Sequence, residues 1–355
     1  MSAESTQKST IKKITVGNVS SSPGTKHSGH LKVGEKAASS IELPVTIIQG
    51  EEPGPTLVVL AGEHGCEYCG IFAAVQIIRD IHPKSIKGTL VVIPLANPPA
   101  FEERSLFVNP IDAVNLYASY PGSPEGTISY VMAHRIFSEV TSIADYLIHL
   151  HGADYNESLV PFNYYAHTGN SKVDSMSRKM ASCFPVDYVL EAEKAMDVTT
   201  GSPMGTSYAA TATGTLYGEA SAKGIPSTMC ESGREGKIEE NLVQVHYSGI
   251  INTMKLLGML PGAPALRENQ SKLTSPVLVS NHRAGIFNGK AYTGDTVKKG
   301  QLIGEILNFT GEVLEEIHSP IDGMIVDRIN FAAADAFPTQ KQPYLFYLAK
   351  LERSA

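Results

Sequence analysis

The chain has 355 residues, 42% of them hydrophobic and 18% charged, with a formal net charge of −7. That length and apolar fraction allow two buried cores, and the acidic balance excludes a basic nucleic-acid footprint. No apolar run reaches the roughly 18 residues needed to span a bilayer, and Met1 to Thr10 lacks the apolar centre of a secretory signal, so a cytoplasmic protein with no membrane partner is expected.

Residues 1–40, rich in Ser, Thr, Gly and Lys, read as a loose N-terminal arm with a strand or two. From 41 to 266 the texture is α/β. Thr56–Leu60 and Thr89–Leu95 are short β-branched apolar runs of the kind that form buried strands. Between them Ile71, Ala74, Val75, Ile78 and Ile81 recur at helical spacing. Ile128 to Ile143 is a second helical pattern, and strand Tyr146–His151 follows it directly. The order continues with strand Pro161–Ala166, helix Lys172–Cys183, strand Val186–Leu190, helix Met204–Lys223, strand Ile225–Cys230 and helix Glu239–Leu257. Alternation of this kind predicts an α/β fold: a mixed, largely parallel sheet with helices on both faces.

After Pro264 the pattern changes. Ser275 to Leu351 is strand-like pieces separated by glycines, so 267–355 is expected to be a small C-terminal β-domain, barrel-like and without a helix. Val297-Lys298-Lys299-Gly300-Gln301 and Ser319-Pro320-Ile321-Asp322-Gly323 resemble the turns of biotinyl/lipoyl carrier barrels. Those carriers need a lysine at a hairpin tip. The matching position here is Glu312, and no lysine occurs between Lys299 and Lys341, so the resemblance concerns shape and not a covalent cofactor.

The chemistry is concentrated at strand ends. Ala61-Gly62-Glu63-His64-Gly65-Cys66-Glu67 reads as strand, tight turn and helix start, with His64 and Glu67 three apart on one face. An imidazole and a carboxylate presented together form two legs of a catalytic zinc site, which also needs a third protein ligand and a position left open for water. His134, His149 and His151 are the candidates for that ligand. His134 lies within a helical run and reads as a packing or surface residue. His149 and His151 point the same way from one strand, and His151, nearer the carboxyl edge, is the choice, with His149 supporting it. Glu231 ends the next strand and is placed to act as a general base. Arg104, in the loop after Asn97-Pro98, offers a guanidinium to a developing oxyanion. Each piece also has a plain structural reading. His64 and Glu67 can bond to backbone at a helix start, Glu231 can cap a helix, and Arg104 can pair with Glu102 or Glu103 at the surface.

Together these pieces resemble the succinylglutamate desuccinylase/aspartoacylase family, relatives of the zinc carboxypeptidases. The matches are Gly62-Glu63-His64-Gly65-Cys66-Glu67, Asn97-Pro98, Arg104, Asp112, Leu116, Pro121-Gly122, His149-Leu150-His151 and Glu231-Ser232-Gly233. The resemblance implies one Zn²⁺ per chain held by His64, Glu67 and His151, with Glu231 as base and Arg104 on the carbonyl. The implied reaction is hydrolysis of the amide of a small N-acylated amino acid or related amine. Two positions depart from the family. Its Asn-Arg pair, which grips a substrate carboxylate, falls on Tyr117-Ala118, and its Asp before Leu-His is His149. Asn97, Tyr117 and His149 are therefore expected around the ligands or substrate, and Arg234 is a candidate replacement anion clamp.

Thr199 to Thr215, dense in small residues, either borders the pocket or packs helices closely. Of Tyr164 and Tyr165, one is expected to face the pocket and the other the core. A metallocarboxypeptidase would use the same zinc chemistry, but it needs a carboxylate clamp that Tyr117-Ala118 does not supply. A non-catalytic carrier or binding protein built on the β-domain is a second class. A thiol redox protein through Cys66-Glu67-Tyr68-Cys69 is a third, although those cysteines read as small residues packing a helix start, and four cysteines do not suggest a disulfide framework. The expected partner is a small N-acyl substrate, and the architecture is compatible with a homo-oligomer.

Overall fold

A computed structural model describes residues 13–192, 212–336 and 344–352. The chain opens with a short hairpin of β1 (Thr15–Val16) and β2 (Val19–Ser20), then the long antiparallel pair β3 (Thr25–Lys36) and β4 (Ser39–Gln49). The expected loose arm is therefore corrected for residues 13–40. β3 runs along β4 for its whole length and forms one edge of the main sheet, burying Leu31 and Val33 while most of its other side chains stay outside. Residues 1–12 lie outside the described residues.

The α/β part follows as β5 (Glu52–Ala61), α1 (Tyr68–Asp80), β6 (Lys87–Ile93), α2 (Pro98–Glu103), α3 (Ile128–Ile143), β7 (Tyr146–His151), β8 (Glu157–Leu159), β9 (Phe162–Ala166), α4 (Ser171–Ser182), β10 (Tyr188–Ala192), α5 (Leu216–Ala222), β11 (Ser227–Glu231) and α6 (Glu240–Leu256). Strands β6, β5, β7 and β11 lie side by side and parallel, with β9 antiparallel on β11 and β4 antiparallel on β6. The alternation of β5 shows why helices cover both faces. Leu57, Val59 and Ala61 enter a core with Ile71, Ala74 and Ile77 of α1 and Ile250 of α6. Val58 and Leu60 enter the opposite core with Met132, Ile136 and Val140 of α3 and Leu216 of α5. These β5 side chains are fully buried, and each such Leu or Val contributes roughly 1.5–3 kcal/mol by leaving water.

Two elements differ from expectation. The stretch after Asn97 is a short helix, α2, because Asn97 caps it through Oδ1 and Pro98 stands at its first position. The helix expected over 204–223 is seen only as α5, capped by Thr215, since residues 193–211 lie outside the described residues.

The C-terminal part contains β12 (Ser271–Val279), β13 (Gly285–Gly289), β14 (Thr296–Val297), β15 (Leu302–Leu307), β16 (Val313–His318), β17 (Gly323–Ile329), β18 (Ala333–Ala334) and β19 (Phe346–Glu352), with no helix among its described residues. It has its own core, including Phe287, Ile303, Ile306, Ile325, Phe346 and Leu348. Its sheet is nevertheless continuous with the main one. β12 pairs with β10, β19 with β12, β17 with β19, and β17 with β8. That last pairing brings β17 to the wall of the site described below. The two carrier-like turns bond to each other, Gly300 N–H to Ser319 O at 2.8 Å and Lys299 N–H to Asp322 Oδ1 at 2.9 Å. Glu312 is exposed at the turn joining β15 and β16. No helix among the described residues is long and apolar enough to cross a membrane.

Candidate metal and catalytic site

Three adjacent parallel strands, β5, β7 and β11, end at one edge of the sheet, with Ala61 in register with Leu150 and Glu231 with His151. Backbone groups leave the ladder at such an edge, and side chains from separate segments converge there. The chain turns out of β5 at Gly62, whose φ of +72° suits glycine. Gly65 then passes against the backbone of α2. A Cβ there would stand 2.3 Å from Ala100 C and Phe101 N, so no larger residue fits. Asn97 locks the same loop by donating from Nδ2 to the Glu63 carbonyl at 3.0 Å.

His64, Glu67 and His151 are brought together. His64 Nδ1 lies 2.5 Å from Glu67 Oε1 and His151 Nδ1 lies 2.9 Å from Glu67 Oε2. Glu67 occupies the N-cap position of α1 but does not cap it. Its carboxylate faces the two imidazoles and also accepts the Gly152 N–H at 3.0 Å. All three side chains are buried, and one donor atom from each lies within 4.8 Å of the others. Two imidazole nitrogens and a carboxylate form a donor set that fits Zn²⁺ or a similar divalent ion. Burial opposes charge here, but the mutual attraction outweighs it. It holds Glu67 down at about 2, raises His64, and raises His151 well above the ordinary imidazole range.

The outer nitrogens of both histidines have fixed partners. His64 Nε2 faces Asn115 Oδ1 at 3.1 Å, leaving Nδ1 toward Glu67. On the other side, Glu63 Oε2 lies 3.1 Å from His149 Nε2 and 3.3 Å from His151 Nε2, and those two nitrogens are 2.9 Å apart. Both nitrogens face Glu63 Oε2, which can accept from whichever carries a hydrogen. A His151 that presents Nδ1 as a ligand carries it on Nε2, beside Glu63 and His149. Tyr120 OH donates to Glu63 Oε1. Burial would raise Glu63, but the two imidazoles hold it well below the usual carboxylate range, while burial keeps His149 low and neutral. Glu63 and Asn115 are absent from the residues expected to form the site. The available signal was His149, since an imidazole in place of a carboxylate beside His151 calls for an acid elsewhere.

Glu231, at the end of β11, lines the same cavity as the three residues, and withdrawal from water pushes it up to about 8 against the pull of His151. Tyr117 also lines it, with ring centroids 5.1 Å from His151 and 5.9 Å from His64. The structure does not bring the two arginines to the cavity lining. Arg104 is the left-handed C-cap of α2 (φ 54°) and is exposed, outside the cavity wall. Arg234 is exposed and makes two bonds to Glu239 at 2.8 and 2.7 Å, so its guanidinium is already engaged. His134 lies on α3, half-buried. Cys66 and Cys69 are buried and unpaired, and burial pushes the Cys66 thiol up to about 12, which leaves almost no thiolate for redox chemistry.

The opposite wall comes from β8, β9, β17 and β19: Glu157, Leu159, Phe162, Tyr164, Asp327 and Tyr347, with Tyr344 beside them. Tyr164 faces the cavity, while Tyr165 packs with Ala181 and Val189. Of Thr199–Thr215, all but 212–215 lies outside the described residues.

Residues 53–257 match the family described as succinylglutamate desuccinylase/aspartoacylase catalytic domain. N-alpha-acetyl-L-2,4-diaminobutyric acid deacetylase from Halomonas elongata is 24% identical over 305 residues, covering 83% of this chain and 83% of that protein. Among solved structures, the product-bound ectoine utilization protein EutE (DoeB) from Ruegeria pomeroyi superposes with a TM-score of 0.78 at 21% identity, covering 96% of this chain and 98% of that one. A succinylglutamate desuccinylase/aspartoacylase from Rhodobacter sphaeroides gives 0.77 at 20% identity, covering 93% and 96%. At such identities the structural likeness speaks for the fold.

Proposed function

The chain belongs to the succinylglutamate desuccinylase/aspartoacylase catalytic family, and from that membership we propose that it is a zinc-dependent hydrolase of the amide bond in a small N-acylated amino acid or related amine. The observation that carries this reading is the meeting of His64 Nδ1, Glu67 and His151 Nδ1 in the cavity that Glu231 also lines. The Halomonas relative, a deacetylase by name, supports the same reaction class.

His64, Glu67 and His151 would hold the ion, which when bound lowers the pKa of a water to roughly 7 and polarises an acyl carbonyl. Glu231 takes the proton of the attacking water and returns it to the departing amine nitrogen. Asn115 and the Glu63–His149 pair keep both imidazoles turned with Nδ1 inward. Tyr117 closes the cavity beside them with an aromatic face. Arg104 takes no part in this scheme, because it stands at the surface.

The test joins metal analysis to a screen of N-acetyl, N-succinyl and N-formyl amino acids. Glu231→Gln is expected to keep its metal and lose turnover by about a hundredfold or more. A Glu231→Gln protein with full turnover and an intact metal site would remove the base from the scheme.

A further inference from the structure

The wall facing the ligand triad is acidic, and it is assembled from two distant parts of the chain. Glu157 lies on β8 and Asp327 on β17, held adjacent by the pairing of Asp327 with Leu159. Both are buried, at 4% and 5% exposure, and both line the cavity that holds His64, Glu67, His151 and Glu231. Tyr344 OH lies 2.8 Å from Glu157 Oε1 and 2.6 Å from Asp327 Oδ2. One hydroxyl has one proton, so it can satisfy only one of the two carboxylates. Asp327 Oδ1 has no hydrogen-bond partner among the described residues. Among the described residues lining the cavity there is no lysine or arginine. Arg328, next in sequence, stacks on Tyr292 at 4.7 Å and donates to the Ala291 carbonyl at 3.1 Å.

Two buried carboxyls without a cation are costly, and each is pushed up, Asp327 to about 7 and Glu157 well above its ordinary range, chiefly by burial. A cationic ligand removes that cost, because an ammonium group offers three donors to the acceptor positions left open by Tyr344 and by the Asp154 N–H, which donates to Glu157 Oε2 at 3.2 Å.

We propose that Glu157 and Asp327 form a subsite for an ammonium group on the substrate, so that the preferred substrate is an N-acylated diamine or diamino acid whose second amine is free. This rests on the deacylase reading above. The N-acyl carbonyl sits toward His64, Glu67 and His151, and the free ammonium sits on the opposite wall. The cavity then selects a cationic amine over neutral and acidic ones of the same length.

The experiment compares Nα-acetyldiaminobutyrate, Nα-acetylornithine and Nα-acetyl-lysine with the neutral Nα-acetylnorleucine and the acidic Nα-acetylglutamate, all on the metal-loaded enzyme. The best cationic substrate is expected to exceed norleucine in kcat/KM by at least about tenfold. Asp327→Asn and Glu157→Gln should each lower kcat/KM for it by about 30-fold or more, mainly through KM, with norleucine changed less than about threefold. Both variants should melt at or above the wild-type temperature, since each removes a buried acid, and that result separates lost recognition from lost folding. Preference for the neutral or acidic substrate, or equal losses on all substrates, would overturn the subsite while leaving the deacylase standing. If no N-acyl compound is turned over, the deacylase reading fails. Calorimetry with free diaminobutyrate, ornithine and lysine then decides the subsite separately. Binding that Asp327→Asn weakens supports it, and no binding to the wild type refutes it.

Discussion

Replacing Glu63 by Gln tests whether the carboxylate behind His151 sets metal affinity. The side chain is 1% exposed, with Oε2 3.1 and 3.3 Å from two imidazole nitrogens and Oε1 receiving the Tyr120 hydroxyl. Glutamine is nearly isosteric. Its oxygen can stay beside His151 Nε2–H while its NH₂ turns to Tyr120, whose hydroxyl can accept instead of donate. The substitution leaves no further buried group without a partner, so the variant removes charge alone. Oε2 lies at ion-pair distance from both imidazoles and not in a geometric hydrogen bond, so a charged contact of about 1.5–3 kcal/mol becomes a neutral polar one of about 0.5–1.5 kcal/mol. The difference, roughly 1–2 kcal/mol, predicts zinc binding weaker by about 10- to 100-fold, the range seen when a partner behind a ligand is lost. Competition against a chelator reads the Kd, and melting of the metal-free protein reports folding. The double variant Glu63→Gln with His149→Asp should recover most of the loss, because it returns a carboxylate to His151 from the strand. A Kd unchanged within about threefold in Glu63→Gln, or no recovery in the double variant, would refute the argument.

Gly65→Ala should lower both the melting temperature and zinc affinity. Its methyl group meets the α2 backbone at 2.3 Å, an overpacking worth about 1–3 kcal/mol, and the strain falls on the residue beside His64. Chelation should lower the melting temperature, since an ion at a hundred times its Kd stabilises by about 2.7 kcal/mol. Identical melting of metal-free and zinc-loaded protein would argue against a folded-state site. His246 supplies a pH test. It is fully buried, Nε2–H donates to the Ser232 carbonyl at 2.8 Å, and burial holds its pKa at about 4. The unfolded chain takes up the proton nearer 6.5, so this histidine's contribution is complete above 6.5 and is lost as pH falls toward 4, by about 3 kcal/mol. The stability gap between wild type and His246→Gln, measured by urea unfolding, should therefore shrink from pH 7 to pH 4.5, and a constant gap would contradict it.

What the sequence revealed of the fold follows from how strongly each element depends on its neighbours. β5 and β7 were legible because they are buried on both faces and read as apolar runs. α1 and α3 were legible because one face of each carries its apolar residues at helical spacing. β3 was not, because an edge strand with a polar outer face buries only Leu31 and Val33 and resembles a polar arm. α2 was hidden by its shortness, although Asn97 followed by Pro98 is a helix-start signal in its own right. The union of the C-terminal sheet with the main one depends on the register of β12 with β10 and β17 with β8, which no local pattern encodes.

The site divides along the same line. His64, Glu67, His151 and Glu231 stand at or just beyond strand ends that the hydrophobic pattern marks, and the structure brings all four to one cavity. Arg104 was chosen for its place after Asn97-Pro98 and its match to the family's Arg, and Arg234 for its nearness to Glu231; one stands at a helix cap and the other in an ion pair with Glu239, both outside the cavity lining. What distance along the chain concealed is how the charges of the two cavity walls combine. Tyr117 and Ala118 stand where the family has a residue pair that grips an anion, and Tyr117 lines the cavity with no formal charge. Across from it, strands some 170 residues apart in the sequence supply Glu157 and Asp327. A wall at Tyr117 without a cation and two acids on the facing wall act on the cavity potential in the same direction. Both in one cavity bear on a single property, the charge of the substrate group beyond the scissile amide, and that is why acetylated lysine homologues and acetylated glutamate are the comparison that matters for this enzyme.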